Sequence, residues 1–156
     1  MKYTRLSKQQ FEALHEEFIN FLASQTITAA EWDVIKRDQP QVAEDELDIF
    51  SDLIWEGALS KAEFLENCNA QQLFLIKLGA TAFSLIHIKV SAPEVDITTA
   101  QGLAWLNANI QSNSVQITKG TKEVGDNRNL IAFGLIQQGA QITSGELYTA
   151  FEQALP

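Results

Sequence analysis

Along the first seventy residues apolar positions recur three and four apart, and from Leu73 onward they crowd into short runs separated by turn residues. The first pattern predicts helices and the second predicts strands. Ser7 to Gln10 has the capping-box form, in which the serine hydroxyl takes an amide of the first turn and the glutamine side chain returns to the cap amide. Phe11, Leu14, Phe18, Ile19 and Leu22 then follow at helical spacing. Thr28 to Glu31 repeats the form and opens a second helix, through Trp32 and Ile35, that stops before Pro40. A third helix starts at Pro40, with Ala43, Leu47, Phe50, Ile54 and Ala58 as its apolar face. Ser60 to Glu63 caps a further short helix that runs to the neighbourhood of Cys68.

LFLIKL and FSLIHIKV, joined by Gly79, Ala80 and Thr81, read as a β-hairpin. DITTAQGLAWLNANI returns to helical spacing. SVQIT and NLIAFGLI read as a second strand pair around the loop KGTKEVGDNR, and SGELYTAFEQAL closes as a helix. The predicted fold is α+β: N-terminal helices, then two ββα units forming a mainly antiparallel four-stranded sheet with helices packed on it. It is read as one domain over 1–156, with a helical part over 1–70 and a ββα-ββα part over 71–156. A shift of 45 positions lays Ile142 on Ile97, Thr143 on Thr98, Leu130 on Leu85 and Ile131 on Ile86. Duplication and shared patterning both produce such a match, and either predicts that 83–111 and 128–155 superpose as strand-plus-helix units.

Charge sharpens the division. The chain carries 20 acidic and 11 basic residues, a net charge of -9. Residues 1–70 hold 14 acidic and 6 basic of these, net -8, which leaves the rest nearly neutral. Such a balance argues against nucleic acid, whose phosphates draw clustered lysine and arginine. No apolar run is long enough to span a membrane, and carboxylates stand where the apolar core of a signal peptide belongs, so a cytoplasmic protein is expected. Cys68 is the only cysteine, which excludes an intramolecular disulfide and suits a reducing compartment.

The densest chemistry is DELDIFSDLIWEG, residues 45–57, with five carboxylates and a tryptophan. At about 100° per residue, Asp45, Asp48, Asp52 and Glu56 share a stripe roughly 80° wide, opposite the apolar face. A solvated helix surface is the expectation, with no metal, because helical carboxylate sites use two Glu-x-x-His pairs and this chain has one such spacing, Glu12 to His15. Trp55 projects on the flank of the stripe and needs a cover, either from the same chain or from a partner. His15 and His87 sit on apolar faces as structural residues. HEEFIN lacks the second histidine of a zinc motif, and neither a nucleophile elbow nor a phosphate loop is present. Lys119, Lys122 and Arg128 form the one basic cluster of the second half, a possible anion-binding loop.

The expected function is therefore non-enzymatic: a protein-interaction or adaptor module, homodimeric, without cofactor or catalytic residue. Its partner is another protein or a second copy, recognised through Trp32, Trp55, Asp48 and Asp52. The alternative is a small-ligand-binding protein or enzyme whose site joins His15, carboxylates or the 119–128 loop. Tyr3, Leu6, Phe11, Leu14, Glu17, Phe18, Phe21, Leu22, Glu31, Trp32, Phe50, Asp52, Leu53, Trp55, Glu56 and Gly57 give about the first 65 residues a further meaning. There the chain resembles a family of small bacterial proteins defined only as a domain of unknown function. The resemblance implies a bacterial origin and no reaction. In size, acidity and element order the chain is also similar to small secretion chaperones, a likeness of topology alone.

Overall fold

The computed structural model describes residues 1–155. Its elements run α1 (Lys8–Ala13), α2 (His15–Ser24), α3 (Ala29–Asp38), α4 (Pro40–Lys61), β1 (Phe64–Cys68), β2 (Gln72–Leu78), β3 (Ala82–Val90), α5 (Ala100–Ala108), β4 (Val115–Glu123), α6 (Arg128–Gln137), β5 (Gln141–Thr143) and α7 (Glu146–Ala154), with a 3-10 turn before α6. The chain divides into two compact units, Met1–Ala58 and Leu59 onward.

In the first unit both capping boxes form as the sequence predicts, at Ser7 and Thr28. Its core is aromatic. The Phe18 ring meets Trp32 edge-on with centroids 5.3 Å apart and Phe50 at 5.0 Å, and Phe11 and Phe21 close on Phe50. Edge-to-face rings place positive edges on negative faces, so the cluster gains more than its buried area alone. The expected first helix is divided at Leu14, which leaves helical geometry. At the end of α2 the Ile27 amide reaches the Leu22 carbonyl and the Thr26 amide reaches Ala23, the paired bonds of a Schellman ending. The left-handed position there is held by Thr26 at φ 61, where glycine is usual.

The second unit is built on a five-stranded antiparallel sheet of order β4-β3-β2-β1-β5. Leu73, Leu75, Ile86 and Ile88 point to one face, where Leu106 of α5 and Tyr148 and Phe151 of α7 pack on them. Leu65, Ile76, Leu78 and Phe83 are buried on the other. Gly145 starts α7 at φ 82, and a Cβ there would run into the Phe64 ring, so only glycine satisfies both the backbone and the packing.

Three expectations are corrected. Residues 64–68 form strand β1, where a short helix is predicted; they pair with β2 on one side and β5 on the other, and sheet pairing overrides local capping. NLIAFGLI lies in helix α6, where a strand is predicted. An eight-residue apolar run does not distinguish the two, and the missed signal is Gly139, which closes α6 in the left-handed conformation at φ 110. The sheet has five strands in place of four, because β1 and the three-residue β5 join it. With 128–137 helical, the units 83–111 and 128–155 do not share a strand-plus-helix form, and the match at 45 positions is one of patterning.

Arg128 departs from the expected anion loop in an instructive way. Its Nε donates to the carbonyl of Gly79 at 3.0 Å, Nη1 to Leu59 at 2.8 Å and to Asn129 Oδ1 at 2.8 Å, and Nη2 to Ala62 at 2.6 Å and Leu78 at 3.3 Å. All five guanidinium donors face protein acceptors. Two of those acceptors are carbonyls at the end of α4, where a cation also meets the negative end of the helix dipole. Arg128→Met removes all five of these donors, with the Leu59 carbonyl keeping a longer bond from the Ala62 amide at 3.3 Å, and urea unfolding should show a loss of about 2–4 kcal/mol. Lys122→Met, on the exposed strand β4, should stay within about 0.5 kcal/mol of the parent.

Candidate functional site

The carboxylate stripe of α4 is occupied from within the first unit. The segment before α1 runs along the helix, and the amides of Lys2 and Tyr3 donate to the two oxygens of Asp52 at 2.7 and 2.9 Å. Lys2 Nζ lies 3.0 Å from Glu56, and the Tyr3 hydroxyl donates to the same carboxylate. Arg5 donates to Asp48 at 2.7 Å and pairs with Glu44. Deeper in, the Leu6 amide donates to Ser51 Oγ at 3.1 Å while that hydroxyl donates to the Leu47 carbonyl at 2.7 Å, so the fully buried Ser51 is satisfied both ways. Tyr3 and Leu6 bury their side chains in the same stroke.

The electrostatics follow this geometry. Glu44 and then Asp48 hold the Arg5 proton more firmly than usual, and Glu56 does the same for Lys2. Burial pushes the Tyr3 hydroxyl up, helped by Glu56. The expectation of a wholly solvated stripe is thus corrected: Asp48, Asp52 and Glu56 are partly covered, and Asp45 alone of the four is exposed. Trp32 is 9% exposed and belongs to the aromatic core, whereas Trp55 is half-buried. Among the described residues no group of three or more His, Cys, Asp or Glu is placed to hold a metal ion.

The other singled-out residues are dispersed. His15 is exposed at the start of α2, and His87 stacks on Phe74 at 4.3 Å while its Nε2 meets Gln72 Oε1 at 2.9 Å. Lys119 and Lys122 lie on β4 and not in a loop. The anion cluster therefore does not assemble, since Arg128 is committed to carbonyls. Beside β4, Lys119 lines two clefts: about 400 Å³ with Ile110, Ile117 and Leu155, and about 260 Å³ with Ser84, Thr121, Tyr148 and Glu152. Burial raises the Cys68 thiol, with Glu66 and Asp96 adding to the effect, so the thiol is a poor nucleophile.

Sequence reasoning missed an apolar line on α4. Val42, Ile49 and Leu53 are 40%, 49% and 56% exposed. They fall within about 40° of one another around the helix, beside the carboxylate stripe and away from Ala43 and Phe50. The seven- and four-residue spacings were available in the sequence. What concealed them is that α4 carries apolar residues on two faces, of which only one fills a core.

Two outcomes test this geometry. Asp52→Ala removes the acceptor of two amides and should lower stability by about 1–3 kcal/mol in urea unfolding, whereas Asp45→Ala, whose exposed carboxylate accepts from the Gln41 side chain, should change it by less than about 0.5 kcal/mol. Burial raises the Glu66 carboxyl above its ordinary range. The folded state therefore favours the protonated form, a contribution complete below the unfolded pKa and lost as pH rises through the folded one. Glu66→Gln, which imitates that form, should raise Tm at about pH 7 and leave it unchanged at about pH 3.

No helix among the described residues is long and apolar enough to cross a membrane. No curated protein and no solved structure matches the chain. A family model matches all of it, residues 1–156, well past the 65 or so that carry the N-terminal resemblance, and its description is a family of unknown function, DUF6495. The chain belongs to that family.

Proposed function

We propose that this protein is a non-enzymatic interaction module whose recognition surface is the Val42, Ile49, Leu53 line of α4, and that its partner presents a basic amphipathic helix. The exposed apolar line carries the reading. Of the eight large hydrophobic residues exposed among the described residues, six lie in the first unit, so the apolar surface concentrates there. Three of the six stand in one row at helical spacing, the arrangement that accepts a second helix.

Charge decides what kind of helix. Asp45 and Glu46 flank the row, and the hydrogen bonds they take from Gln41 at 3.0 Å and Gln25 at 2.9 Å come from neutral amides. Their charges are not offset by those bonds. Residues 1–58 hold 12 acidic and 5 basic side chains, net -7. A second copy would bring the same -7 to the row, whereas lysines beside an apolar stripe would meet the carboxylates and speed encounter. Asp48 and Asp52, expected to be contacts themselves, serve this surface by holding the N-terminal segment. Trp55 remains a candidate at the flank, and Trp32 supports from the core.

The test is a synthetic leucine/lysine amphipathic helical peptide, with a leucine/glutamate peptide of the same pattern as control, titrated by anisotropy. The lysine peptide should bind and the glutamate peptide should not. Ile49→Asn and Leu53→Asn should each weaken binding about tenfold or more while stability moves by less than about 0.5 kcal/mol, since both side chains are exposed. Equal binding to parent and variants would reduce the interaction to charge and overturn the reading. So would self-association of the parent that either variant abolishes.

A further inference from the structure

The sheet order leaves β4 at one end, with β3 on its inner side and, among the described residues, no strand on its outer side. The pairing with β3 is continuous from Val115 to Glu123, so the whole edge is straight ladder. Its hydrogen-bonding direction can be assigned. The amide of Val124 donates to Thr81 at 2.8 Å, and the amide of Ser91 donates to the carbonyl of Ser114 at 2.8 Å, both in the register that pairs Ala82 with Glu123 and Val90 with Val115. Even-numbered residues of this strand therefore turn their backbone groups toward β3. In an antiparallel ladder the direction alternates, so Ile117, Lys119, Thr121 and Glu123 turn theirs outward.

A row of outward amides and carbonyls is a template for another strand. Which strand it takes follows from the side chains. Lys119, Thr121 and Glu123 share the face of α5 and α7, because their partners Ile86, Ser84 and Ala82 do. An antiparallel second copy centred on Thr121 would set Thr121 against Thr121 and Lys119 against Glu123, twice over by symmetry. On the other face Lys122 would stand over Gly120, and no like charges would oppose. Moving the centre to Lys119 would set lysine against lysine, which is unfavourable. The second unit carries 8 acidic and 6 basic residues, net -2, so two copies meet here with little of the repulsion that the first unit would bring.

We infer that β4 is a self-pairing edge through which two copies of this chain join their sheets antiparallel about Thr121, with reciprocal Lys119 to Glu123 ion pairs. Each copy contributes the outward backbone groups of Lys119, Thr121 and Glu123. The contact is isologous, as a two-fold requires, and it closes the one long edge of the sheet. A ladder this short lies at the small end of interface sizes, so the dimer is weak and concentration-dependent. It does not rest on the α4 surface, and failure of either leaves the other standing.

Sedimentation velocity across a concentration series up to about 1 mM tests it. The parent should pass from monomer to dimer. Thr121→Pro removes an outward amide without touching the bonds to β3, and should raise the dissociation constant about tenfold or more while circular dichroism stays unchanged. Lys119→Glu and Glu123→Lys should each weaken the dimer and together restore it, an outcome that a merely misfolded variant does not produce. Thr121→Cys should form a disulfide-linked dimer on oxidation. A parent that stays monomeric throughout the series overturns the inference, as does a dimer indifferent to both Thr121→Pro and the charge exchange.

Discussion

Five donors on one guanidinium govern how the second unit closes. The last turn of a helix leaves carbonyls without partners, and so does a tight turn between strands. In this protein Arg128 answers both at once, reaching Leu59 and Ala62 at the end of α4 and Leu78 and Gly79 at the β2–β3 turn. Because Arg128 is also the first residue of α6, that helix begins where the carbonyls are. A lysine could not do this, since its three donors diverge from a point while the guanidinium spreads five in a plane. The demand that buried carbonyls be satisfied thus converts a cation in a polar loop into a fixed structural part.

The same demand works with opposite sign in the first unit. A stripe of carboxylates on α4 is the dominant charge feature there, and the chain meets it with its own amides and cations from Lys2 to Leu6. That use of the stripe changes what the surface can offer. Charges already bound to the N-terminal segment are poor steering groups, whereas Asp45 and Glu46, bonded only to glutamine amides, keep theirs. Beside them the apolar line of Val42, Ile49 and Leu53 is the surface that folding does not consume. One helix thus supplies a core face, a face for its own N-terminal segment and an exposed apolar row.

Two glycine-like positions show how local chemistry and packing divide the work. Gly145 satisfies a left-handed backbone and the close approach of Phe64 together, so no other residue fits. Thr26 takes a left-handed conformation at the end of α2 without glycine, held by the paired bonds to Leu22 and Ala23 and by the Leu22 and Ile27 packing around them. Tertiary contacts there sustain a conformation that the residue disfavours.

The sequence is enough for the elements whose signals are local: both capping boxes, the start of α4 at Pro40, the β2–β3 hairpin, and helices α5 and α7. Each rests on neighbours within a few residues, where spacing and capping chemistry are legible. It also settled the division between an acidic helical part and a nearly neutral β-rich part. Residues 64–68 and 128–137 take their form from packing, because segments this short suit helix and strand almost equally and the choice falls to what lies beside them. β1 becomes a strand between β2 and β5, and α6 becomes a helix where Arg128 meets the end of α4. Likewise no spacing rule revealed that the α4 carboxylates face Lys2, Tyr3 and Arg5, some forty to fifty positions away. Periodicity states which residues share a face, and only packing states what covers it.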